Sequence, residues 1–294
     1  MNIDREKHEH KRRVLVTGAT GNVGQHVVSE LRQTGVAVRA LTRSPRSGSL
    51  PEDVEVLVGD LAALETFAAG LEGIDAVFLV WPFFDVELAP ALLAALEPRT
   101  RVVYLSAASV TDDGAEQPGL FHADMERAIT RSGLAYTFLR PTGFATNTLM
   151  WASQIRADGV VRWPYGRARR SLIHERDVAA VAARALVDDR HAGAKYVLTG
   201  PETLTQREQV QIIGEVLKKP VRYDELSPES ARTQLIAAWG SPSFADAALS
   251  GWAKMVDDPE VVTRTVAEIL GRPALGFREW ANDHAEDFGG RSTS

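Results

Sequence analysis

A doubly wound α/β fold with a smaller, mostly helical C-terminal lobe is predicted by three features of this 294-residue chain. Short apolar runs alternate with stretches of helical periodicity through the first half, the order expected of βαβ units. The run Ala76-Val77-Phe78-Leu79-Val80 is apolar without interruption, as a strand buried on both faces of a parallel sheet requires. A glycine-rich turn, Gly18-Ala19-Thr20-Gly21-Asn22-Val23-Gly24, follows the first apolar run and opens a helical stretch. That context is the one in which such a turn meets a dinucleotide in a Rossmann sheet.

The elements follow in order. Val14-Leu15-Val16 is the first strand, and residues 22–33 carry apolar side chains at helical spacing. Further strands are predicted at 36–41, 54–58, 75–80, 101–106 and 135–139, with helices at 62–71, 87–96 and 123–132. Beyond Pro141 the pattern loosens into a helix at 175–187, a strand at 195–198, and helices at 206–217, 228–238 and 261–270. The division read from this is an arm at 1–12, a Rossmann domain at 13–145, a smaller substrate-binding lobe at 146–288 with some return to the sheet, and a tail at 289–294. In open α/β sheets ligands sit outside the carboxyl ends of the strands, so the lobe is expected to roof the site.

Composition narrows the function classes. A net charge of −6 and a pI near 5.7 argue against a nucleic-acid footprint. The chain has no cysteine, which removes disulfides, thiolate nucleophiles and cysteine-bound metals. The start of the chain is charged (REKHEHKRR) and lacks the apolar core of a signal peptide, so a cytoplasmic location is expected. His8 and His10 in that run read as part of a solvated arm, and no metal site is expected. The expected partner is a small molecule, not nucleic acid or membrane, and the expected state is a monomer or homodimer.

The glycine turn lets backbone approach a pyrophosphate, with Gly18, Thr20, Gly21, Asn22, Val23 and Gly24 around it and free helix N–H groups facing it. The end of the second strand selects the dinucleotide. A carboxylate there would hold the ribose 2′-hydroxyl of NAD, whereas arginine accommodates the 2′-phosphate of NADP. The segment Leu41-Thr42-Arg43-Ser44-Pro45-Arg46 has no acid, so NADP(H) is expected, with Arg43 as the clamp and Ser44 or Arg46 assisting. The same arginines also suit solvated loop positions.

Several stretches together carry a family resemblance: Val14-Leu15-Val16-Thr17-Gly18-Ala19-Thr20-Gly21, Gly59-Asp60-Leu61, Ser106-Ala107, Leu139-Arg140-Pro141 and Ile173-His174-Glu175-Arg176-Asp177-Val178-Ala179. Over 14–288 the chain resembles the NmrA-like group of the atypical short-chain dehydrogenases/reductases. The resemblance implies that Asp60 contacts the adenine, that Leu61 belongs to the same cofactor site, and that the Leu79–Pro82 stretch, with Val80, Trp81 and Pro82, lines the ribose. It also implies that Pro141, Thr142, Gly143 and Phe144 lie near the nicotinamide. Asp60 equally suits a cap on the segment that follows it.

The superfamily's usual Tyr-x-x-x-Lys is missing, because none of Tyr104, Tyr136, Tyr165, Tyr196 and Tyr223 is followed four residues later by lysine. In the corresponding region stands His122-Ala123-Asp124-Met125-Glu126, a His-x-x-x-Glu pair similar to that of several NmrA-like reductases. On a helix the two share a face. One reading has Glu126 orienting His122 and favouring its charged form for proton donation; the other has His122 at a helix start or in solvent and Glu126 in an ordinary contact. Ser106 and Ser109 are candidate hydrogen-bond partners for a substrate oxygen. Asp177, beside His174, is expected to favour the dipole of the helix it opens.

Without the tyrosine–lysine pair, acceptors that need little acid assistance are favoured: quinones, iminium ions, conjugated enones and cationic dyes. An aromatic pocket from Trp81, Phe83, Phe84, Phe121, Phe144, Trp151 and Trp163, with Met150 and the polar Asn147, suits a flat conjugated substrate, although such residues also build cores. The expected activity is therefore that of an NADPH-dependent reductase of a small electron-poor substrate. A non-catalytic NADP(H) sensor and an isomerase or cyclase with a structural cofactor are the alternatives.

Overall fold

The computed structural model describes residues 11–44, 50–112 and 120–290. Arg46, His8 and His10 lie outside the described residues. The chain divides into two compact units, one of Met1–Arg140 with Val178–Tyr196, the other of Pro141–Asp177 with Val197–Ser294. The first therefore takes back a segment from the second half of the sequence.

Through the first unit run β1 (Arg13–Val16), β2 (Ala37–Thr42), β3 (Glu55–Val58), β4 (Ala76–Leu79), β5 (Arg101–Leu105) and β6 (Ala135–Pro141). With β9 (Lys195–Leu198) they form one seven-stranded sheet in the order β3-β2-β1-β4-β5-β6-β9. The pairs β1–β2, β1–β4, β2–β3, β4–β5 and β5–β6 are all parallel. The order reverses at β1, and such a switch point opens a crevice at the carboxyl ends of the strands.

Strand β4 is buried along its whole length, as its unbroken apolar run predicts. Helix α1 (Gly24–Gln33) buries Gly24, Val27, Val28 and Leu31, one stripe at helical spacing. Helices α2 (Ala89–Ala94) and α3 (Phe121–Ser132) follow β4 and β5. Helix α3 buries Ala123, Met125, Glu126 and Ile129 and stops at Gly133, whose φ of 78° only glycine adopts readily. The predicted helix at 62–71 is instead two short 3₁₀ turns, Leu64–Thr66 and Ala68–Leu71. The reason is closeness to β3: a Cβ on Gly59 would lie 2.6 Å from Phe67 and one on Gly70 2.5 Å from Leu57.

The second unit has its own core, built around Trp151, Trp163, Trp252, Phe277, Trp280 and Phe288. A 3₁₀ segment (Ala145–Trp151) leads to α4 (Ala152–Asp158) and β7 (Val160–Trp163), which pairs in parallel with β11 (Arg222–Glu225). The short strands β8 (Arg169–Arg170) and β10 (Leu204–Thr205) pair antiparallel. Helix α5 (Glu175–Val187) starts in this unit and runs into the first. Helices α6 (Gln206–Leu217), α7 (Pro228–Trp239), α8 (Pro242–Asp257), α9 (Thr265–Leu270) and α10 (Phe277–Asp283) complete it. Helix α6 opens with a full capping box between Thr205 and Glu208. The strands β7, β8, β10 and β11 and the helices α4, α8 and α10 are not anticipated by periodicity, since strands of two to four residues show too few alternations. No helix among the described residues is long and apolar enough to cross a membrane.

Candidate active site

The carboxyl edge of the first unit's sheet carries the predicted cofactor residues from Gly18 to Ser106, and its centre is the turn after β1. Thr17 ties that turn to the end of β4: its N–H donates to the Phe78 carbonyl at 3.0 Å, and its hydroxyl oxygen accepts the Val80 N–H at 2.7 Å. Gly18 has φ +59°, and a Cβ there would come 3.2 Å from the Val80 Cβ. The Gly21 N–H closes the turn on the Gly18 carbonyl at 2.9 Å. A Cβ on Gly24 would overlap the Gly18 carbonyl oxygen and stand 2.7 Å from its carbon. Helix and strand can meet this closely only through glycine.

Helix α1 begins with no side-chain cap and no acidic residue in its first turn. Among the described residues, no side-chain cap or first-turn acid offsets its N-terminal N–H groups and positive dipole end. Gly18, Thr20, Gly21 and Asn22 are exposed in front of it, with Val23 buried behind. Backbone donors, close glycine packing and an accessible face fit a diphosphate.

Arg43 and Ser44 follow β2 directly and are exposed. The Gly59 N–H donates to the Thr42 carbonyl at 3.0 Å, which brings Asp60 beside the Arg43 segment. Asp60 Oδ1 accepts the Ala62 N–H at 2.9 Å, so this carboxylate does cap the turn that follows it. Leu61 is half-buried next to it. Val80, Trp81 and Pro82 continue β4 beside Gly18, and Ser106 directly follows β5, the strand paired with β4.

The expected His122–Glu126 partnership is not what the structure contains. Both carboxylate oxygens of Glu126 are held elsewhere: Ser106 Oγ donates to Oε1 at 2.6 Å, Arg140 Nε donates to Oε1 at 2.9 Å, and Arg140 Nη2 donates to Oε2 at 2.6 Å. Arg140 also forks onto Asp112 at 2.7 and 3.0 Å, and Lys195 joins Asp112 at 2.5 Å. The two cations hold the Asp112 carboxyl well below the usual carboxylate range. His122 meets the Tyr104 hydroxyl instead, with Nδ1 at 2.7 Å. Burial pushes the His122 pKa down to about 4, which favours the neutral ring near pH 7. The physical reason is that the buried Arg140 guanidinium is a stronger claimant for Glu126 than a half-buried imidazole. Tyr104 and Arg140, unassigned by spacing arguments, thus govern the two residues that spacing selected.

The aromatic residues divide into two groups. In the first unit Trp81 packs edge-on to Phe83 with centroids 5.0 Å apart, and its Nε1 donates to the Asp85 carbonyl at 2.6 Å. Phe84, 81% exposed, meets Phe121 edge-on at 5.8 Å, and Phe121 lies 4.0 Å from the His122 ring. Phe84, Phe121 and His122 form a continuous aromatic row. In the second unit Trp151 and Trp163 are buried core residues in contact with each other at 6.2 Å, which corrects their expected place in a substrate pocket: apolar packing of that unit's own helices consumes them.

Also in the second unit, Pro141 is buried, and Thr142 donates its N–H to the Leu198 carbonyl at 2.9 Å and its hydroxyl to the Ser171 carbonyl at 2.8 Å. Gly143 packs against the Arg170 guanidinium, half-buried Phe144 bridges to Ile173, and Asn147 and Met150 are exposed. Asp177 does more than favour a helix dipole: it accepts the Leu275 N–H at 2.6 Å and pairs with Arg272 at 2.7 Å. His174 is buried, with Nε2 3.3 Å from Asp283.

Fold and glycine cradle define a dinucleotide-binding protein of the Rossmann class. The sequence profile of the NmrA-like family matches residues 10–261, and the chain belongs to that family. It is 41% identical over 283 residues to the (4-alkanoyl-5-oxo-2,5-dihydrofuran-3-yl)methyl phosphate reductase of Streptomyces griseus subsp. griseus, covering 94% of this chain and 99% of that one. It is 34% identical over 284 residues to the NAD(P)H azoreductase of Xenophilus azovorans, at 94% and 99% coverage. The triphenylmethane reductase structure from Citrobacter sp. shares the fold, with a TM-score of 0.77 at 20% identity, covering 93% of this chain and 99% of that one.

Proposed function

We propose that this protein is an NADPH-dependent reductase of a small conjugated or electron-poor acceptor. The observation that carries the reading is the glycine cradle before an uncapped α1, with Arg43 exposed at the end of the adjacent strand. The cradle would hold the diphosphate through the backbone around Gly18, Gly21 and Gly24, and Arg43 would meet the 2′-phosphate. When bound, the reduced nicotinamide supplies a hydride with its electron pair.

The chain's own contribution is orientation and charge stabilisation. The aromatic row of Phe84 and Phe121 offers a flat apolar face to a conjugated system. His122, neutral at working pH, donates a hydrogen bond to the acceptor oxygen or nitrogen on which negative charge collects, as a fixed donor instead of a titrating acid. The proton that completes the product then comes from water. Such assistance is enough for polarised conjugated bonds, the feature shared by the butenolide-type and azo compounds for which two relatives are named.

Incubating the protein with NADPH and a panel of a 2-furanone, an azo dye and a quinone tests the reading. Acceptor-dependent loss of the nicotinamide absorbance is expected. Tight NADPH binding with no turnover of any member would favour the sensor instead.

A further inference from the structure

We infer that Tyr104 is a positioning residue for this site, fixing His122 as a neutral ring whose single proton resides on Nε2. The inference rests on the reading of His122 as a substrate-facing donor. Tyr104 itself is fully buried on β5, packed edge-on against Phe138 with centroids 6.3 Å apart. A ligand cannot reach it, so any effect passes through the ring it touches.

The argument concerns one hydrogen. A buried phenol needs an acceptor for its O–H, and His122 Nδ1 lies 2.7 Å away. Burial, reinforced by the Glu126 carboxylate, raises the Tyr104 pKa above its ordinary value, so the hydroxyl keeps its hydrogen. With that hydrogen directed at Nδ1, the nitrogen must present a lone pair, which leaves the ring proton on Nε2. Protonating Nδ1 would turn the phenol into an acceptor and strand its hydrogen in the core. The hydrogen bond therefore selects both the tautomer and the neutral state.

Among the described residues, the carboxylates of α3 are engaged elsewhere. On α3, Glu126 is taken by Ser106 and Arg140, and Asp124 pairs with Arg127. Phe121 stacks beside the ring, and Phe84 meets Phe121 on its far side. Just after β5, Ser106 points its hydroxyl hydrogen at Glu126.

The test is ¹⁵N spectroscopy of the histidine-labelled full chain, paired with steady-state kinetics of Tyr104→Phe, which keeps the ring and removes the hydroxyl. In the unsubstituted protein the His122 signals should show Nε2 protonated and Nδ1 bare, unchanged between pH 5.5 and 8.5. In Tyr104→Phe both tautomers should appear, and kcat should fall about tenfold, the rate equivalent of one hydrogen bond, with the KM for NADPH unchanged. A proton on Nδ1 in the unsubstituted protein overturns the inference, as does a Tyr104→Phe variant with an unaltered spectrum. Failure of the underlying reading looks different: His122→Ala would turn over normally even though the ring spectrum of the parent protein matched expectation, and Tyr104 would then have no positioning role.

Discussion

Arg140 closes on both oxygens of Glu126, at 2.9 Å through Nε and 2.6 Å through Nη2, with the two side chains only 4% and 6% exposed. The pair joins β6 to α3 inside the first unit, and Ser106 and Asp112 complete it. Removing one partner of a buried pair leaves the other charged and unsolvated. Glu126→Ala is therefore expected to lower stability by about 3 kcal/mol, read from urea unfolding. A loss below about 1 kcal/mol, the range of exposed pairs, would show that water reaches Arg140.

Arg43 is the proposed reader of the 2′-phosphate that separates the two nicotinamide dinucleotides. A charge-assisted hydrogen bond contributes about 1.5–3 kcal/mol, so Arg43→Ala should weaken NADP(H) by about tenfold to a hundredfold and leave NAD(H) nearly unchanged. Calorimetric titration of both nucleotides checks this; equal losses would remove Arg43 from phosphate recognition.

Gly24 cannot gain a methyl group without displacing the Gly18 carbonyl. Gly24→Ala should abolish measurable NADPH binding while the far-ultraviolet dichroism stays near that of the parent. Retained affinity would mean that the turn re-forms around the methyl group.

Phe84 is 81% exposed and leans on Phe121. Phe84→Ala should change stability by less than about 0.5 kcal/mol yet raise the KM for flat acceptors several-fold. An unchanged KM across the acceptor panel would exclude the aromatic row from the substrate face.

Two histidines should shape stability against pH with opposite signs. His284 donates from Nε2 to Glu175 at 2.7 Å and from Nδ1 to Asp287 at 2.8 Å. Burial opposes its charge, but these bonds outweigh it and raise its pKa above 6.5. Its stabilisation is present in full below the unfolded value of about 6.5 and is lost as pH rises through the higher folded value. His122, pushed down to about 4, stabilises the native state above 6.5 and loses that contribution as pH falls toward 4. Thermal unfolding midpoints should pass through a maximum near pH 6.5. His284→Gln should flatten the alkaline side alone, and His122→Gln the acid side alone; parallel changes on both sides would contradict the assignment.

The strands from β1 to β6 and the glycine turn were legible because their signals are local. Val14 to Gly24 specifies a buried strand, a turn needing a positive φ and a helix within eleven consecutive residues. The helix predicted at 62–71 failed because contacts with Leu57 and Gly59, distant from its own periodicity, pull the segment into tighter turns. Trp151 and Trp163 misled for a related reason: an aromatic residue carries the same sequence signal in a pocket and in a core.

The order of βαβ units, the dinucleotide turn and the absence of an acid after β2 belong to the sequence alone, since each depends on neighbouring residues and on backbone geometry. The tertiary structure alone decided the pairing among Tyr104, Ser106, His122, Glu126 and Arg140. Two residues along a strand span about 6.6 Å and four along a helix about 6 Å, so Tyr104 and Ser106 face His122 and Glu126 in matching rows. Sequence spacing could put His122 and Glu126 on one face of α3, but only packing that face against β5 and β6 could give the histidine to Tyr104 and the glutamate to Ser106 and Arg140.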